Sequence, residues 1–119
     1  MFTGIIQDLG KIETKDEGLY QISTNLDLSN CKEGSSISCN GVCLTAKNIT
    51  QKDNKFFSFE VNIGEETLKR TNLSNSILKN EKINLEKSLK IGDEISGHFV
   101  YGHVDTTTTV SEILELENS

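Results

Sequence analysis

Apolar and polar residues alternate in short runs along most of this chain, and the period of two predicts strands. GIIQDLGKIET carries alternating apolar positions interrupted at Gly10, which predicts a strand with a bulge or bend. LYQIST continues as a second strand after the turn Asp16-Glu17-Gly18. In SSISCNGVCLTAKNIT, Asn40-Gly41 sits between two β-prone runs, the strongest short signal for a hairpin. KFFSFEVNI predicts a strand with Phe57, Phe59 and Val61 on one face. GEETLKRTNL breaks the period: acidic residues at its start and basic ones near its end suit the dipole of a short helix. KINLEKSL returns to strand. Five or six short strands with one short helix predict a small antiparallel barrel or sandwich, complete within about 85 to 90 residues. The stretch from about Gly97 falls outside that unit.

Composition narrows the classes. A chain of 119 residues suits one domain with a modest core, although its hydrophobic fraction, 34%, is lean. Net charge is −6 and no basic patch is present, which argues against a nucleic-acid partner. No apolar run reaches membrane length, and MFTGIIQDLGKIETKDEG lacks the basic-then-apolar start of a secretory signal. A cytoplasmic, reducing setting is the expectation. Cys31, Cys39 and Cys43 are an odd number, against a closed disulfide framework. Cys39 and Cys43 with His98 and His103 fit zinc spacing only loosely, so free thiols and no metal are expected. The absence of proline has no physical account here.

The final stretch, YGHVDTTTTVSEILELENS, has an echo at the start of the chain. A shift of 98 positions puts Gly102 on Gly4, Val104 on Ile6 and Val110 on Ile12. One identity is weak support for a repeat, and one strand cannot make a barrel. The stretch therefore reads either as a strand that pairs elsewhere or as the start of a second copy.

Four blocks in order sharpen that choice: MFTGI, SISCNGVCLT, EETLKRTNL, and INLEKSL followed by GHFVYGHVD. Together they resemble the N-terminal half of the riboflavin synthase family, in which two similar barrels follow in tandem. Pattern and resemblance predict an all-β fold, a six-stranded antiparallel Greek-key barrel with one short helix. Residues 1–97 would be the lumazine-binding barrel and residues 98–119 the first strand of a second repeat. The resemblance implies an enzyme that makes two molecules of 6,7-dimethyl-8-ribityllumazine exchange a four-carbon unit. The products are riboflavin and 5-amino-6-ribitylaminopyrimidinedione, and no cofactor is needed. It implies a homotrimer for the whole protein, with a site between barrels of neighbouring subunits. A homodimer is expected for this chain, through an unpaired strand from Tyr101 to Ile113. Residues 1–119 alone are expected to turn over weakly or not at all. The alternative is a non-catalytic lumazine- or flavin-binding module, like the lumazine proteins of the same fold.

By resemblance, Gly4, Ile5 and Ile6, Cys43, Leu44 and Thr45, and Gly102, His103 and Val104 line the ring site. Glu66 and Thr67 would take the ribityl hydroxyls, preceded by Asn62, Ile63, Gly64 and Glu65. Read without the resemblance, Glu66 is a helix N-terminal carboxylate and Thr67 a solvated surface residue. The reaction needs a base near neutral pH, which histidine supplies. His103 is chosen on the family's GHV pattern; His98 reads as structural. Cys43 is expected to line the site without acting as a nucleophile, since no base stands beside it in sequence. Phe2 either packs on the barrel or caps the reacting rings by stacking.

Overall fold

A computed structural model of the protein describes residues 1–95, 101–102, 104–106 and 108–116. Among these described residues seven strands form: β1 (Asp8–Asp16), β2 (Leu19–Thr24), β3 (Ser36–Cys39), β4 (Val42–Thr45), β5 (Lys47–Gln51), β6 (Phe57–Asn62) and β7 (Lys82–Lys87). Two helices, α1 (Glu65–Arg70) and α2 (Leu73–Leu78), lie between β6 and β7. The fold is all-β, every ladder is antiparallel, and the sheet order is β4-β3-β7-β1-β2-β6-β5.

The first and last strands of that order, β4 and β5, are joined by one residue, Ala46. The sheet therefore curls back on itself and encloses its apolar face. Alternation fills the interior. Ile12, Tyr20, Ile22, Ile37, Phe57, Phe59, Val61, Ile83 and Leu85 all point in and are buried. Phe57, Phe59 and Val61 share one face, as their spacing predicts. Leu73 of α2 adds to this core, and α2 packs against β1 and β7.

Departures from the expected pattern have local causes. Seven strands replace six because the long run after Asn40-Gly41 bends at Ala46, whose N–H and C=O pair with Ser35 and Gly34. The helical segment is two helices because the backbone at Thr71 is extended. The sequence signal for α2 was available: Asn72 before it, and Leu73 and Ile77 four residues apart. β1 starts at Asp8, not at Gly4, because residues 3 and 4 give their N–H groups to a side chain. Gly10 is no bulge; the β1–β2 register shifts between Thr14 and Asp16. Gly10 instead marks close packing, since a Cβ there would sit 2.5 Å from Leu85 Cδ1. Among the described residues from Tyr101 to Leu116, none is in a strand.

Candidate functional site

The hairpin between β3 and β4 sets the geometry of one candidate site. Asn40 and Gly41 both have positive φ, 50° and 81°, as a type I′ turn requires. Cys39 then pairs with Val42, and Ser38 with Cys43. Beyond β4, Ala46 donates its N–H to Ser35 O and accepts from Gly34 N–H. Backbone groups alternate sides along a strand, so Cys43 and Thr45 turn theirs away from β3.

On that far side lies the end of β6. Lys47 faces Glu60 in the β5–β6 ladder, and β4 lies against β6. Carried on, this register sets Thr45 opposite Asn62 and Cys43 opposite Gly64. No ladder joins them. Ile63 donates its N–H to Gly18 O on the β2 side, so Asn62 and Gly64 turn theirs toward β4. The result is a gap between two strands with backbone donors and acceptors on both walls. Leu44 and Ile63 are buried beneath it, while Cys43, Thr45 and Asn62 are exposed. Glu65, Glu66 and Thr67 follow in the first turn of α1. There Glu65 pairs with Lys69 and Glu66 with Arg70 within the helix, both pairs exposed.

Residues from both ends of the chain meet elsewhere, on the outer face of β3 and β7. Gly4, Ile6, Gly102 and Val104 line a cavity of about 240 Å³ with Ser38 and Glu86. Gly102 donates its N–H to Phe2 O at 2.9 Å, and Phe2 is half-buried. Val104 rests on the hairpin: a Cβ on Gly41 would lie 2.3 Å from Val104 Cγ2. Ser38 pairs with both Cys43 and Glu86, so Cys43 ends the outward row of residues that floors this cavity. Ile5 is exposed nearby. Sequence reasoning missed Glu86, Ser38 and Asn40. A charged residue alternating with buried Leu85 reads as an ordinary outward position.

The expected site residues thus fall in two groups, Cys43 to Thr45 with Asn62 to Thr67, and Gly4 to Ile6 with Gly102 and Val104. His103 and His98 lie outside the described residues. All three thiols are free: Cys39 is buried, which pushes it up to about 12, Cys31 is half-buried and Cys43 exposed. Among the described residues, no group of three His, Cys, Asp or Glu could hold a metal ion, and no helix is long and apolar enough to cross a membrane.

A family profile described as "Lumazine binding domain" matches residues 3–88. This chain belongs to the lumazine binding domain family. The match takes in every strand and both helices of the barrel. Among proteins similar to this chain, riboflavin synthase of Brucella abortus (strain 2308) is 46% identical over 116 residues, covering 94% of this chain and 57% of the relative. Riboflavin synthase of Buchnera aphidicola subsp. Baizongia pistaciae (strain Bp) is 45% identical, covering 98% of this chain and 54% of that protein. Riboflavin synthase of Bacillus subtilis (strain 168) is 37% identical, covering 100% and 54%. This lumazine binding domain chain therefore spans about half the length of the curated relatives it matches.

Proposed function

We propose that this chain is the lumazine-holding part of a riboflavin synthase. The whole protein would catalyse the dismutation of two 6,7-dimethyl-8-ribityllumazine molecules to riboflavin and 5-amino-6-ribitylaminopyrimidinedione. The observation that carries the reading is the unpaired gap between Cys43–Thr45 and Asn62–Gly64, in a chain of the lumazine binding domain family. A flat heterocycle with donors and acceptors on its edge can pair with free strand backbone as a neighbouring strand would. Glu66 and Thr67, at the near end of α1, would then meet the ribityl hydroxyls, with Glu66 exchanging its exposed pairing to Arg70.

The chemistry asks little more of the protein than pose and one base. The reaction takes no cofactor, because the electron-poor ring itself acidifies its C7 methyl. His103 is the proposed base, and Phe2 a stacking cap. Two identical substrates suit two similar barrels, here residues 1–97 and a second repeat opening at residue 98, assembled as a trimer. The six-stranded Greek-key barrel that the resemblance implies would follow if β4 and β5 act as one strand bent at Ala46, which supports this reading. Free thiols at Cys31, Cys39 and Cys43 suit the reducing cytoplasm.

Titrating riboflavin fluorescence with the chain tests the reading. A saturable change, competed by the lumazine and weakened by Gly64→Val in the gap, is the expected result. No change at high micromolar protein would overturn it.

A further inference from the structure

Glu86 is the only charged side chain among the described residues that is buried, at 3% exposure. Its neighbours on β7, Leu85 and Ile83, point into the barrel or share its burial, whereas Glu86 points to the outer face. A buried carboxylate is unfavourable unless donors replace its water. No cation pairs with it among the described residues. Three donors do, and all come from the start of the chain. Thr3 N–H and Thr3 Oγ1 reach Oε1 at 2.5 and 2.9 Å, and Gly4 N–H reaches Oε2 at 3.0 Å.

The surrounding backbone explains why a side chain is needed there. The first residues run along β7, with Gln7 N–H on Leu85 O and Leu89 N–H on Met1 O. Between those two anchors the N–H groups of Thr3 and Gly4 turn to Glu86. Gly4 adopts φ +84°, which lets consecutive N–H groups converge on one anion. The neighbouring carbonyl, Phe2 O, accepts Gly102 N–H from the far end of the chain.

We propose that Glu86 is a positioning residue, whose carboxylate fixes Phe2 to Gly4 and, through Phe2, holds Gly102 and Val104 against the barrel as one wall of the cavity over Ser38, whose outward row ends at Cys43 beside the ligand gap. The role of that wall rests on the function proposed above; the docking itself does not.

Amide exchange by NMR in Glu86→Gln and Glu86→Ala tests both parts. Gln keeps the shape but presents an NH2 group where one N–H needs an acceptor. Exchange at Thr3, Gly4 and Gly102 should accelerate about tenfold or more, while Ile22 and Phe59 in the core change less than about twofold. Riboflavin binding should weaken about fivefold or more. Unchanged protection at Gly102, or equal acceleration in the core, would overturn the docking role. Lost protection at Gly102 with unchanged riboflavin affinity would overturn the positioning role. If the unmodified chain binds no riboflavin, the proposed function fails, and the exchange data alone decide whether Glu86 docks the segment.

Discussion

Gly102 lies directly on Gly4, its counterpart 98 positions earlier. A Cβ on Gly102 would stand 2.5 Å from Gly4 N and 3.0 Å from Gly4 Cα, and Gly102 N–H donates to Phe2 O. Backbone meets backbone here, so no side chain can swing aside. Gly102→Ala should release the segment after Tyr101 without unfolding the barrel. Local undocking limits the loss of global stability to less than about 1 kcal/mol in urea unfolding. The protection of the residue-102 amide should nevertheless fall. A loss of stability typical of core overpacking, about 1–3 kcal/mol, would show that this contact belongs to the barrel itself.

Ser58 offers the opposite case. Its residue is 2% exposed, and its Oγ has no hydrogen-bond partner among the described residues. A hydroxyl buried in this way is destabilising relative to a methyl group that fills most of the same space. Ser58→Ala should therefore raise the urea midpoint, by up to about 1 kcal/mol in stability. A drop of similar size would mean that the hydroxyl is satisfied in solution.

Asp8 ties the start of β1 to the end of β2. Its Oδ2 accepts from the Thr24 hydroxyl and from the N–H groups of Asn25 and Leu26 at 2.8 and 3.2 Å. Partial burial raises its pKa, but those hydrogen bonds together outweigh burial and hold the carboxyl below the usual carboxylate range. A depressed folded-state pKa means stability that is present above the unfolded value, about 4, and lost as pH falls through the folded one. Asp8→Asn should cost about 1–2 kcal/mol near neutral pH, from lost charge-assisted hydrogen bonds. It should also flatten the acid limb of stability against pH. Parallel acid limbs in the two proteins would remove Asp8 from that role.

Much of this architecture can be read from residue order alone. Alternation marks the strand runs of the barrel, although it merges β4 with β5, because an interior face and a solvent face impose a period of two. Asn40-Gly41 announces its hairpin because few residues tolerate two positive φ values in succession. Long-range contacts stay hidden. Nothing local tells that Glu86 binds Thr3 and Gly4, 83 and 82 positions away. Nor does β4 reveal that its outer edge faces Asn62 unpaired. The family blocks supply Cys43–Thr45 and Asn62–Thr67 as one site, whereas their adjacency across a strand gap emerges only from the ladder register. The echo of Gly4 in Gly102 was visible as a pattern, and its meaning as a contact was not.

Three free thiols at graded depth report on the proposed ligand gap. Cys39 is fully buried, and burial pushes its thiol up to about 12, so almost no thiolate forms near neutral pH and access is blocked as well. Cys31 is half-buried, and Cys43 is exposed on β4 beside the gap. A small alkylating reagent should therefore modify Cys43 first, Cys31 more slowly, and Cys39 only on unfolding, as read by intact mass and peptide mapping. Riboflavin at saturation should slow Cys43 labelling by about tenfold and leave Cys31 unchanged, because a ligand paired to the Cys43 backbone covers its outward side chain. Cys43→Ser should keep the fold and weaken riboflavin only a few-fold, since backbone groups carry the proposed contact and Ser supplies the same ones. Labelling of Cys43 that ignores saturating riboflavin would put the ligand somewhere other than the β4–β6 gap.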